Sequence, residues 1–200
     1  MSETRELPPE AREALLAVAR DALQAHYAGR TPAPLPPLDA LHRPASAFVT
    51  LRRRSDHELR GCVGFIDSGE SLAEVVAEAA VAAAVRDGRF DLVTAEELPA
   101  LHIEISVLTP LQPIDSDEVE VGRHGLVVQY AGKRGLLLPQ VPVDRGWDRE
   151  TFLSWTCRKA GLPPDTWRKP DCELLGFTAL VFAEGEKGAP PPGGAPAAQG

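Results

Sequence analysis

A chain of 200 residues is long enough for one domain with its own core, undivided or parted into two lobes. Its 44% hydrophobic and 25% charged composition is that of a globular protein, and its formal net charge of −8 argues against a nucleic-acid binder, which would carry a basic stripe. No run approaches the roughly 20 apolar residues that span a bilayer, and Met1 to Glu6 lacks a signal peptide's apolar segment, so the expected location is cytoplasmic, with no membrane contact.

Glu10 to Ala28 is rich in alanine, leucine and charge and holds neither glycine nor proline, which predicts a helix that Gly29 ends. Five prolines between Arg30 and Pro44 predict an extended surface connector. Ala47 to Leu51 and Leu59 to Ile66 read as an antiparallel hairpin across a polar turn at Arg54 to Glu58. The basic run Arg52-Arg53-Arg54 is taken as the solvated end of that hairpin. Ser71-Leu72-Ala73-Glu74 has the form of a capping box and opens a helix to about Arg86. The alanine-rich surface of that helix suits close packing on a sheet.

Leu101 to Leu108 alternates with period two, setting Leu101, Ile103, Ile105 and Val107 on one face and His102, Glu104 and Ser106 on the other. The polar face is either wet or lines a cleft. Gly125 to Tyr130 and Arg134 to Leu138 flank a glycine turn. Asp148 is placed to cap a helix over Arg149 to Ala160, closed by Gly161, and Leu174 to Phe182 reads as a last strand. Glycine, alanine and proline then dominate the tail, which offers little side chain to bury. Strands interleaved with few helices give an α+β class. The organisation expected is an N-terminal extension (1–8), one domain (9–184) and a mobile tail (185–200).

Three widely spaced cysteines, Cys62, Cys157 and Cys172, fit reduced thiols better than a disulfide framework. With no Cys-x-x-Cys or His-x-x-x-His pair, no metal or other cofactor is expected. The segment Leu59-Arg60-Gly61-Cys62-Val63-Gly64 sets one thiol between two glycines beside a cation. Glycine removes side-chain walls, and a guanidinium near the sulfur would favour the reactive thiolate. Cys62 is therefore expected to titrate below the ordinary thiol value of about 8.5. The competing reading is structural: free cysteine is often buried, and glycine in a strand often marks a bulge. Arg89 and Phe90, after Asp87-Gly88, are expected to pin a reversal, Phe90 in the core and Arg89 on a carboxylate or carbonyl.

Seven segments carry a resemblance: Phe48-Val49-Thr50-Leu51, Leu59 to Gly64, Asp87-Gly88-Arg89-Phe90, Ile103 to Pro110, Gly122-Arg123-His124-Gly125-Leu126, Leu138-Pro139-Gln140-Val141 and Lys159-Ala160-Gly161-Leu162. In this order they resemble the AMMECR-one domain, protein A of the AmmeMemoRadiSam system, over about Pro9 to Glu184. Val63 stands where isoleucine is usual, and Gly88 where proline is usual. The resemblance implies a compact α+β domain with a mixed or antiparallel sheet, flanking helices, and a cleft between a larger and a smaller lobe. It also implies two partners, a Memo-like protein and a radical-SAM protein.

Carried onto this sequence, the motifs offer Cys62 as nucleophile and His124 as base or acid, with Arg60 and Gln140 orienting substrate. Gly61, Gly64 and the polar-face residues Glu104 and Ser106 complete the candidate substrate-binding set. Two functions compete. One is a cysteine-dependent enzyme acting on a small molecule or a modified protein group. The other is a non-catalytic module that binds a small molecule or peptide, or adapts to one of the two partners.

Overall fold

The computed structural model describes residues 7–185, so the expected tail, apart from Gly185, lies outside the described residues, as do Met1 to Glu6. The chain forms two compact units, the first running to Leu108 and resuming at Leu180, the second spanning Thr109 to Ala179.

In the first unit, α1 (Pro9–Ala28) starts on a proline and ends at Gly29, whose φ of 61° is the left-handed conformation that glycine adopts freely. α2 (Leu72–Val85) begins with the full capping box: Glu74 N–H donates to the Ser71 hydroxyl, and the Glu74 carboxylate accepts from Ser71 N–H at 3.0 Å. The sheet holds β1 (Ser46–Arg53), β2 (Leu59–Phe65), β3 (Leu101–Leu108) and β8 (Ala179–Ala183), in the order β2-β1-β3-β8. β1 runs antiparallel to both β2 and β3.

Alternation sends Ala47, Val49, Leu51, Leu101, Ile103 and Ile105 towards both helices, where they join Leu15, Leu23, Val76 and Ala79 in one core. Each fully buried leucine or isoleucine there contributes about 1.5–3 kcal/mol. Alanine on α2 is what lets the helix lie close to the strands. The proline-rich connector departs from expectation. It contains a 3₁₀ turn at Asp39–His42 that drives Leu41 to full burial in this core.

The second unit has its own sheet, built from β4 (Gln112–Pro113), β5 (Gly125–Tyr130), β6 (Lys133–Leu137) and β7 (Glu173–Phe177) in the order β4-β7-β5-β6. All its pairings are antiparallel. β5 and β6 are joined by a two-residue turn with φ of 49° at Ala131 and 75° at Gly132. α3 (Gln140–Asp144) and α4 (Arg149–Lys159) complete it, with the Asp148 side chain accepting from Thr151 N–H at 2.8 Å. Phe152, Leu153 and Cys157 of α4 fill the core under β5.

The single last strand expected over Leu174 to Phe182 is two strands in two sheets, broken at Thr178. Thr178 N–H donates to the Thr109 hydroxyl at 2.8 Å, and Thr109 N–H donates to the Thr178 carbonyl at 2.9 Å. The whole second unit is thus an insertion between β3 and β8, which are neighbours in the first sheet. Antiparallel sheets with flanking helices make the chain α+β. Among the described residues no helix is long and apolar enough to cross a membrane.

Candidate functional site

Cys62 lies on β2, an edge strand, and is half-buried. Its Sγ accepts a hydrogen bond from the Thr50 hydroxyl of β1 at 3.3 Å, and its backbone N–H donates to Asp87 Oδ2 at 2.9 Å. Asp87 follows α2 directly, so the helix end brings a carboxylate to the open edge of the sheet. Arg89 grips that carboxylate in a fork, Nε to Oδ1 at 2.9 Å and a terminal nitrogen to Oδ2 at 2.7 Å. This grip, opposed by burial and helped by the Cys62 and Arg89 amides, pulls Asp87 down to about 2. The Arg89 side chain remains 59% exposed while Asp87 is almost covered.

The surroundings of the thiol do not favour its thiolate on balance. Burial pushes it above the ordinary thiol value. The Thr50 hydroxyl and the Arg89 charge pull back only partly, and the charges of Asp87 and Glu104 push it further up. This direction runs against the low titration expected of Cys62, because the cation beside it in sequence, Arg60, turns elsewhere in space. Arg60 is the extra residue of a β-bulge, where the register shifts between the Leu51–Gly61 and Arg52–Leu59 pairs. Its guanidinium turns to Glu97 at 3.0 Å and to the carbonyls of Asp91 and Leu92 at 2.6 and 3.1 Å, clamping that loop.

The glycines also differ from expectation. A Cβ on Gly61 would collide with the Ala83 carbonyl of α2, and one on Gly64 with the Phe48 ring. Both are needed for internal close approach.

Two adjacent rows on the Cys62 side of the sheet, opposite the helices, surround the thiol. Register places Cys62, Thr50 and Glu104 side by side across three strands, with Gly64, Phe48 and Ser106 in the next row. Ser106 is 3% exposed, so this polar face is not simply wet. Glu104 is half-buried, with Arg52 at 3.9 Å. Around the corner, a shallow open depression of about 450 Å³ is lined by Arg60, Gly88, Arg89, Phe90 and Asp91. Phe90 is only half-buried, so it is not the core anchor expected, and the Arg89 guanidinium lies 5.3 Å from its ring centre. The bidentate Asp87–Arg89 pair thus joins the Cys62 edge to this depression.

The family model described as AMMECR1 matches residues 16–182. The chain belongs to the AMMECR1 family. It is 44% identical over 191 residues to a protein of Methanopyrus kandleri, covering 90% of this chain and 92% of that one. It is 42% identical to a protein of Aeropyrum pernix, covering 94% and 85%. The crystal structure of an uncharacterised protein from Pyrococcus horikoshii is similar in fold, with a TM-score of 0.77, 41% identity and coverage of 86% and 90%.

Of the candidate site residues, Cys62, Arg60, Gly61, Gly64, Glu104 and Ser106 lie in the first unit, and His124 and Gln140 in the second. His124 Nδ1 accepts from Glu120 N–H at 3.1 Å within its own turn. Its neutral form then carries the proton on Nε2, leaving no free lone pair for a general base. Burial and the Arg123 charge hold its pKa below the ordinary histidine value. Gln140 opens α3, and its buried Oε1 has no hydrogen-bond partner among the described residues.

Sequence reasoning missed Thr50 and Asp87 as neighbours of the thiol. Asp87 was within reach, since it precedes the Gly88-Arg89-Phe90 run. Thr50 needed the register of β1 on β2. Among the described residues no group of three or more His, Cys, Asp or Glu side chains is placed to hold a metal ion.

Proposed function

We propose that this AMMECR1-family chain is a binding module. Its first unit holds an anionic group of a small molecule or peptide at the depression beside Cys62, without covalent attack. The supporting observation is the Cys62–Asp87–Arg89 chain. Asp87 occupies the strand edge at the thiol and one side of the Arg89 fork, and the remaining Arg89 nitrogen stays available at an exposed position over Phe90. A carboxylate or phosphate group meets the chemistry of that free edge. Arg60 lends positive charge, but its donors are engaged with Glu97 and the loop carbonyls. By the same proposal the module works beside a Memo-like protein and a radical-SAM protein in the cytoplasm.

The cysteine-enzyme reading keeps one favourable observation: the Arg89 charge and the Thr50 hydroxyl both act to lower the Cys62 pKa. Comparison of native and denaturing mass spectra after exposure to a cell's small-molecule pool separates the two. Binding predicts a retained mass that is lost on denaturation, survives Cys62→Ser and disappears in Arg89→Ala. A mass that persists through denaturation and vanishes in Cys62→Ser would establish covalent chemistry instead. Failure of either purified partner protein to co-elute with the chain would remove the partner part of the proposal.

A further inference from the structure

α4 and the residues before it carry a second feature, remote in sequence from the thiol motif. Trp147 and Trp155 stack with ring centres 5.2 Å apart and planes 6° from parallel. The Arg145 guanidinium lies 5.5 Å from the Trp147 ring centre, and that of Arg158 lies 4.8 Å from the Trp155 ring centre. The result is a ladder of guanidinium, indole, indole and guanidinium. Trp155 is 42% exposed.

Val143, 56% exposed and two residues before Arg145, adjoins Gly122 beside Val121, which is also exposed. Of the four large hydrophobic side chains exposed among the described residues, three are therefore in this region, Leu92 being the fourth. Single exposed hydrophobics are ordinary. Exposed apolar side chains together with stacked tryptophan and arginine have the composition of an interaction surface, where tryptophan and arginine are the usual anchors.

The electrostatics indicate what covers it. Among the described residues no carboxylate pairs with Arg145 or Arg158, whose partners are the indoles. Of the acids nearby in sequence, Asp148 caps α4, Glu150 pairs with Arg168 and Glu120 with Arg123, while Asp144 stands exposed next to Arg145 in the chain and pairs with neither ladder arginine. The ladder thus ends in two guanidiniums without a carboxylate partner among the described residues, on a chain whose net charge is −8. A guanidinium stacked on an indole keeps its in-plane N–H groups free for a carboxylate. A nucleobase has no such access, since the indole faces are already taken by each other and by the arginines.

We infer that the Arg145–Trp147–Trp155–Arg158 ladder is a docking surface for an acidic protein segment, with carboxylates on the two guanidiniums and apolar side chains on Val143 and the exposed edge of Trp155. This surface belongs to the second unit and is independent of the site beside Cys62.

The test uses the full chain and the synthetic peptide acetyl-Asp-Glu-Leu-Phe-Glu-Asp-amide. Its binding is followed by tryptophan emission and calorimetry at low salt. Saturable binding is expected, together with its loss in the Asn/Gln version of the peptide and a weakening on the order of tenfold in Arg145→Ala and in Arg158→Ala. The Arg145→Glu, Arg158→Glu double variant should instead take up the lysine counterpart of the peptide, which guards against a variant that has merely misfolded. Trp167→Phe should keep the emission response. The inference is overturned by no saturable binding, by equal binding of the neutral peptide, by insensitivity to both arginine variants, or by tighter binding of a thymidine decamer. It is also overturned if the chain alone sediments as a dimer that Trp155→Ala dissociates, since a second copy then owns the surface.

Discussion

Arg20 on α1 and Glu184, just past β8, are separated by 164 residues in the chain and joined by a fork, Arg20 Nε to Glu184 Oε1 at 2.9 Å and a terminal nitrogen to Oε2. Arg54 donates to the same carboxylate at 2.7 Å, Ile103 N–H at 3.1 Å, and Arg20 also donates to the carbonyls of Leu98 and Leu101. The cluster ties the first helix, the β1 hairpin, the start of β3 and the end of β8 at one point.

Replacing Arg20 by alanine removes the fork and strands two carbonyls. Both partners are mostly covered, so we predict a stability loss of about 2–3 kcal/mol by urea unfolding. Glu184→Gln should lose less, because an amide still accepts from Ile103 and Arg20. A loss within 0.5 kcal/mol for Arg20→Ala, the range of an ordinary surface substitution, would mean the cluster carries no weight.

Gly61→Ala puts a methyl group against the Ala83 carbonyl, backbone meeting backbone, with no flexible side chain to yield. A cost of about 3 kcal/mol is expected, at the upper end of overpacking effects. Gly88→Ala has nothing within 4 Å of the added carbon. Its melting curve should overlay that of the parent.

Asp87 contributes a pH-dependent component to stability. Its folded pKa of about 2 lies below the unfolded value of about 3.9, so its contribution is full above about pH 5 and is lost as pH falls towards 2. Allowing for screening at the exposed Arg89, the size is about 1–2 kcal/mol. Asp87→Asn should flatten that part of the stability profile. Unchanged slopes between pH 5 and 2 would contradict the assignment.

The labelling midpoint of Cys62 should lie above the ordinary thiol value and rise further in Arg89→Ala and Thr50→Val, each of which removes a group that favours the thiolate. Arg60→Ala should leave the midpoint in place, since its guanidinium serves Glu97 and the loop carbonyls. A midpoint that moved with Arg60 and not with Arg89 would restore the sequence-based picture.

Features written by local chemistry were legible in the sequence. Gly29 and the Ser71–Glu74 box act within one helical turn, and the β1–β2 hairpin follows from alternation around a polar turn. What escaped depends on distant partners. The bulge that redirects Arg60 exists only in the register of β2 on β1, and the two glycines around Cys62 answer to α2 and Phe48. The largely apolar run from Leu174 to Phe182 hides the change of sheet at Thr178, because both halves are equally strand-like. At the site, the thiol was found from its motif, and its electrostatics were not, because Asp87 and Arg89 reach it from a helix end 25 residues on.

The placement of the second unit between β3 and β8 has a consequence for synthesis. The ribosome delivers β1, β2 and β3 early, yet the fourth strand of their sheet and the Glu184 tie arrive only after all of Thr109 to Thr178 has been made. Until then the outer edge of β3 has unpaired backbone groups, a surface on which a nascent chain is open to pairing with the wrong strand. The second unit is complete before the first, so the two ends it returns, clasped at Thr109 and Thr178, present β8 beside the edge it must close.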